Sequence, residues 1–120
     1  MQSDNTHFNH LIRLLLPKEI FDYFDIIKVE DRNNEIHVFL DEQETKPFEY
    51  KKYKLISHGF YESITIQDFP IRDKAMYLHV RRRRWLLETD NKVVSRDWNA
   101  VAKGTRLTKD FATFLKGLFG

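Results

Sequence analysis

The chain has 120 residues, 42% apolar and 14% aromatic, enough for one ordinary hydrophobic core and too aromatic for a disordered tail. It has no cysteine, which excludes disulfides and thiolate metal ligands. Net charge is +2 but uneven: residues 1–60 carry 8 Lys+Arg against 11 Asp+Glu, residues 61–120 carry 12 against 7, and Arg72 to Lys109 holds 11 basic residues against 4 acidic ones. A polyanion partner is therefore expected at the basic half.

In chain order, Asn5 or Thr6 can cap a first helix with Phe8, Leu11, Ile12 and Leu15 at helical spacing, broken or restarted at Pro17. Asp25–Val29 and Glu35–Leu40 read as a hairpin around Asp31-Arg32-Asn33-Asn34. Asp41–Lys54 is polar, contains Pro47, and reads as a loop or internal boundary. A strand with Ile64, Ile66 and Asp68 on one face follows, closed by Pro70 and a turn at Arg72-Asp73-Lys74. Ala75–Trp85 then reads as one strand with Met76, Leu78 and Val80 on one face, and Tyr77, His79, Arg81, Arg83 and Trp85 on the other. Glu88–Lys92 is a turn, and Val93–Trp98 a short returning strand. Thr105 or Thr108 caps a last helix bearing Phe111, Phe114, Leu115, Leu118 and Phe119. That is more apolar surface than one packing face needs, and Gly117 weakens the helix end, so it is expected to self-associate or to await a downstream domain. The summed expectation is one α+β domain: helix and hairpin (1–45), a basic antiparallel sheet (56–103) and a C-terminal helix (105–119). No run approaches about 18 apolar residues, the N-terminus does not read as a secretory signal, and the cytoplasm is the expected location.

The chemistry-bearing feature is Arg81-Arg82-Arg83-Arg84-Trp85. Four consecutive arginines on a strand point to both faces, and burying unpaired guanidinium groups is too costly. Arg81 and Arg83 share Trp85's face, which marks them for an outside anion, whereas Arg82 and Arg84 continue the core face. The nearest acids in sequence, Glu88 and Asp90, can neutralise two at most. Arg72, Lys74, Arg96, Lys103, Arg106 and Lys109 add to the basic field, with Trp85 and Trp98 available for packing or for stacking on bases. Gly104 allows a turn that would present Thr105, Arg106 and Lys109 around a helix N-terminus suited to phosphate. The competing reading, a guarded strand edge, is ordinary for charge runs. Histidines 7, 10, 37, 58 and 79 show no metal spacing, and Asp22, Asp25, Asp41, Asp68 and Asp97 are too scattered to read as an acid–base pair. No phosphate loop, nucleophile elbow or HExxH pattern occurs, so no enzyme activity is expected of the chain itself.

The stretch ITIQDFPIRDKAMYLHVRRRRW … VAKGTRLTKDFATFLKGLF resembles the N-terminal region of bacterial insertion-sequence transposases. Asp68 and Pro70 match a turn of that region; Met76, Leu78 and Val80 match its strand. Arg81–Trp85 matches its arginine signature, and Thr105-Arg106-Leu107-Thr108 its step into a helix. The resemblance implies a zinc-ribbon-derived fold and sequence-specific binding of double-stranded DNA at transposon terminal repeats. It places catalysis on a downstream or separate polypeptide, so that a catalytic transposase domain is an expected partner and a homo-oligomer is open. The cysteine knuckles are replaced by Tyr50–Leu55 and Leu86–Asp90, so the ribbon is expected without metal, its hairpin held by apolar packing. A protein-interaction module and an RNA-binding domain are the alternatives.

Overall fold

The computed structural model describes the backbone of residues 5–104 and 107–119, and side chains from Asn9 onward within those ranges. The fold is α+β. Helix α1 (Asn5–Leu15) stops before Pro17, whose missing N–H opens a 3-10 turn, Lys18–Asp22, that delivers Ile20 to the core. Strands β1 (Phe24–Arg32) and β2 (Glu35–Glu42) form the expected hairpin, with Asn33 in the left-handed region at φ 55 that asparagine tolerates.

Strands β4 (Ile64–Ile71) and β5 (Lys74–Arg81) pair antiparallel as expected, but they do not form a sheet of their own. β5 lies parallel to β2, giving one four-stranded sheet in the order β1-β2-β5-β4. The pairing follows from alternation: with Val38 opposite Leu78 and Leu40 opposite Val80, the apolar residues of both strands share one face. The buried side chains of α1, α2 (Trp98–Gly104) and α3 (Lys109–Phe119) join that face in a single core with Phe24, Val38, Leu40, Met76, Leu78 and Val80.

The expected single strand Ala75–Trp85 is two strands. It breaks at Arg82 and resumes as β6 (Arg83–Leu87), the centre of a second antiparallel sheet, order β3-β6-β7, with β3 (Leu55–Phe60) and β7 (Lys92–Val94). At the break the Arg83 amide donates to Glu42 Oε1 at 2.9 Å instead of to a ladder carbonyl, and the Tyr61 amide donates to the Arg82 carbonyl at 2.9 Å. β3 was hidden because LISHGF does not alternate; its register shifts beside Gly59, at φ +78. The returning strand also ends early. Asp97 Oδ1 accepts the Asn99 and Ala100 amides at 3.0 and 3.2 Å, so the chain starts α2 there and buries Trp98.

Thr108 Oγ1 accepts the Phe111 amide at 3.2 Å and caps α3, whereas the alternative cap, Thr105, lies outside the described residues. The expected apolar surplus of α3 is corrected: Phe111, Phe114, Leu115 and Leu118 are all buried, leaving Phe119 exposed. Gly117 is a contact point and not merely a weak end, because a Cβ there would meet Ile66 Cγ2 of β4 at 3.0 Å. Among the described residues no helix is long and apolar enough to cross a membrane.

Candidate nucleic-acid interface

The four arginines separate into two pairs, and the pairing reverses the expectation. Parallel alignment sets Asp41 opposite Arg81, and the guanidinium donates to both carboxylate oxygens at 2.7 and 2.5 Å. That bidentate pairing holds Arg81 above the usual arginine range. Arg83 donates through its amide to Glu42 Oε1, through Nε and Nη2 to the Glu42 carbonyl, and through Nη1 to Ser57 Oγ at 2.8 Å. Glu44 stands 3.9 Å away. The acidic match is therefore Asp41-Glu42-Gln43-Glu44, 40 residues earlier in the chain, and the segment read as a polar loop supplies it. Sequence proximity pointed to Glu88 and Asp90 and missed it.

Glu42 is the hub. It is 1% exposed, and its Oε2 accepts from Arg96 Nε at 3.1 Å, while Arg96 Nη2 reaches the Thr45 carbonyl at 2.7 Å. Burial holds the Glu42 carboxyl above its usual range in spite of the Arg83 and Arg96 donors. Arg96 is thereby committed to the fold, paired with Glu42 and the Thr45 carbonyl.

Arg82 and Arg84 are different. Neither has a carboxylate within 4.0 Å among the described residues. Both stand over one ring, Tyr61, with guanidinium carbons 5.1 and 5.7 Å from its centroid, while Arg81 and Arg83 share Phe60 at 4.2 and 4.5 Å. The Nε of Arg82 and that of Arg84 are buried without a hydrogen-bond partner among the described residues, which leaves the terminal nitrogens as the donors that an outside acceptor could reach. Beside Arg84 on the same strand face lies Leu86, directly paired to Ile56 and Val93, both exposed. Two unneutralised cations thus border a small apolar ledge. Tyr61 was not singled out from sequence; its signal was an aromatic pair, Phe60-Tyr61, answering the arginine run.

The other expected contacts are dispersed. Trp85 and Trp98 are buried, 4% and 2% exposed, and pack instead of presenting rings to bases. Lys74 pairs with Asp31 at 3.3 Å, and Arg72 sits exposed in the β4–β5 turn at φ 60, roughly 25 Å along β5 from Arg81. Lys103 and Lys109 are exposed at the end of α2 and the start of α3. Arg106, like Thr105, lies outside the described residues.

A ribbon zinc does not fit this donor set. Tyr50 and Leu55 on one side, and Leu87 with Trp85 and Val94 on the other, pack as a second apolar cluster where the knuckles would stand. Among the described residues no three His, Cys, Asp or Glu side chains converge as metal ligands. No family model, curated protein or solved structure matches the chain.

The face of the large sheet opposite the core carries a second polar cluster. Parallel pairing of β2 with β5 brings His37 and His79 together, although 42 residues separate them and no local spacing announced it. His37 Nδ1 meets His79 Nε2 at 2.7 Å, His37 Nε2 meets Glu35 Oε1 at 2.8 Å, and Thr65 Oγ1 meets His79 Nδ1 at 3.0 Å. With Glu35 ionised and both imidazoles neutral, one proton arrangement satisfies all three contacts: Thr65 donates to His79, His79 to His37, and His37 to Glu35. Burial, then the neighbouring His37 and Arg32, hold His79 below its usual range, which favours that neutral form.

Proposed function

We propose that this chain is the non-catalytic, DNA-binding N-terminal region of an insertion-sequence transposase. It holds double-stranded DNA at the element's terminal repeats in the cytoplasm, while a catalytic domain elsewhere on the same or a separate polypeptide performs the strand chemistry. The observation that carries this reading is the Arg82–Arg84 pair, fixed on Tyr61 and left without an acid among the described residues. Guanidinium forks suit phosphate oxygens, and stacking on a tyrosine lowers the rotamer entropy lost when they bind. The ledge of Ile56, Leu86 and Val93 would lie against sugar or thymine methyl groups. The arginine signature and the Thr105–Thr108 step support the same assignment through the transposase resemblance.

The deciding experiment is a titration of terminal-repeat DNA across a salt series. Each phosphate contact contributes about 0.9 to the slope of log affinity against log salt, so Arg82→Ala with Arg84→Ala is expected to flatten it by about two. Arg81→Ala with Arg83→Ala is expected to lower stability and change the slope less. No salt-dependent binding by the wild type, or an unchanged slope in the Arg82/Arg84 variant, overturns the proposal. Tighter binding of single-stranded RNA than of duplex DNA shifts the assignment to RNA.

A further inference from the structure

The segment joining the two sheets is held in place at every second or third residue. The Gln43 amide donates to the Tyr23 carbonyl at 2.8 Å, the Thr45 carbonyl accepts from Arg96 at 2.7 Å, and Pro47 is fully buried. Glu49 Oε2 accepts the Asp97 amide at 2.6 Å, and Tyr50 packs on the apolar cluster of the small sheet. What these anchors leave outside is cationic and aromatic. Residues 46–54 hold four lysines and one acid, Glu49, and all four lysines are exposed. Lys54 pairs with Glu88 at 3.2 Å, whereas Lys46, Lys51 and Lys52 have no carboxylate within 4.0 Å among the described residues. Phe48, opening the 3-10 turn Phe48–Tyr50, is 74% exposed even with Lys51 Nζ over one side of its ring at 4.5 Å. Tyr53 is 50% exposed and set edge-on against the anchored Tyr50 at 6.0 Å.

We infer that this loop is a second binding site, one that takes unpaired DNA beside the duplex held at Arg82 and Arg84. Phe48 and Tyr53 stack on bases, while Lys51 and Lys52 meet phosphates. Preset exposed rings among uncompensated cations suit a single strand, because in a duplex the base faces are already covered by their neighbours. Continuity with the arginine surface favours DNA over an anionic bilayer. Lys54 comes two residues before Ile56 and by strand alternation shares its face, the face that carries Leu86 and Arg84. The Lys54 carbonyl accepts the Glu88 amide at 3.2 Å, so the loop joins the small sheet roughly 13 Å along β6 from Arg84. The identity of the partner rests on the DNA reading, but the loop shares no residue with the Arg82–Arg84 pair.

The test is fluorescence anisotropy of the full chain with three probes: blunt terminal-repeat duplex, the same duplex with a single-stranded overhang of about eight nucleotides, and an oligothymidylate of that length. The overhang is expected to tighten binding roughly tenfold. Phe48→Ala with Tyr53→Ala should lose that gain and leave blunt-duplex affinity unchanged, circular dichroism confirming the fold; Phe48→Trp should keep the gain. Lys51→Ala with Lys52→Ala should flatten the salt slope for oligothymidylate by about 1.4, at about 0.7 per phosphate contact on a single strand. An overhang that adds no affinity overturns the inference, as does a gain that survives loss of both rings. So does an overhang that binds only as RNA, or attachment to phosphatidylserine vesicles in place of the overhang. Failure of the DNA reading shows separately, as a blunt duplex that does not bind; oligothymidylate held through Phe48 and Tyr53 would then still support the site on the loop.

Discussion

Glu42 ties the two sheets together through one carboxylate, and its neighbours set the consequence of removing it. Arg96 beside it is 9% exposed in its side chain, so Glu42→Ala strands a buried guanidinium and is expected to cost about 3–5 kcal/mol in urea denaturation. Asp41→Ala, at the more exposed bidentate pair, is expected to cost under about 1 kcal/mol. Replacing both Glu42 and Arg96 by Leu and Met should recover most of the loss, because the buried charge disappears with its partner. A double variant as unstable as Glu42→Ala would show that shape, not charge, governs the site. His79 gives the pH counterpart. Its folded-state value lies below the ordinary one near 6.5, so unfolding takes up protons as the medium is acidified. Stability from this group is full above about pH 6.5 and is lost as pH falls through the depressed folded value. Facing it are His37 and Glu35 on β2, Glu30, Lys28 and Arg32 on β1, Thr65 on β4 and Arg81 on β5. The urea midpoint should fall between pH 7.5 and pH 5 in the wild type, and fall less in His79→Gln. Neither Glu42 nor the His37–His79 pair could be read from the sequence. Each is made by aligning strands some 40 residues apart, and a parallel register leaves no local mark.

At the scale of elements, the hairpin and the β4–β5 pair were legible because Ile36, Val38 and Leu40, and then Met76, Leu78 and Val80, alternate without interruption. β3 and α2 were not, since a bulge at Gly59 breaks one alternation and the Asp97 cap overrides the strand propensity of the residues before it. The four arginines read as one continuous strand for a related reason: the turn at Arg82 is made by acceptor and donor groups of Glu42 and Tyr61, supplied from distant segments. The seat of α3 on β4 offers a measurement of element packing. Gly117→Ala adds helix propensity worth about 1 kcal/mol at an interior position and less near a helix end. It also sets a methyl 3.0 Å from Cγ2 of Ile66, a β-branched side chain with little freedom to turn aside. Overpacking of this kind costs about 1–3 kcal/mol, so net destabilisation is expected in the wild type. In an Ile66→Ala background the obstruction is gone, and Gly117→Ala should stabilise. The two substitutions measured as a thermodynamic cycle decide it; a stabilising effect in both backgrounds would place α3 farther from β4 than described.

For the whole molecule, the two sheets have unequal means of support. The large sheet shares its core with α1, α2 and α3, and Phe24, Val38, Leu40, Val80 and Phe111 are wholly buried in it. The small sheet keeps Trp85, Leu87 and Val94, with Tyr50 and Leu55 only partly covered, and its far face is a ledge of the part-buried Leu86 between the exposed Ile56 and Val93. Without disulfides, a three-stranded sheet of this size depends on that small cluster and on its attachment at Glu42, Arg83 and Arg96. Local stability follows the amount of buried apolar contact, so the molecule should open in two steps. Native-state hydrogen exchange is expected to show the amides of β6 and β7 exchanging through a sub-global opening, and those of β2 and β5 only through global unfolding. Trp85→Ala removes the largest member of the small cluster and should accelerate β6 and β7 selectively, whereas Phe111→Ala should accelerate every slow amide together. Adding a chelator should alter neither pattern. If β6 and β7 exchange as slowly as β2 and β5, the Glu42 attachment makes the two sheets one cooperative unit. In that case the Arg82–Arg84 pair is held as rigidly as the core beneath it.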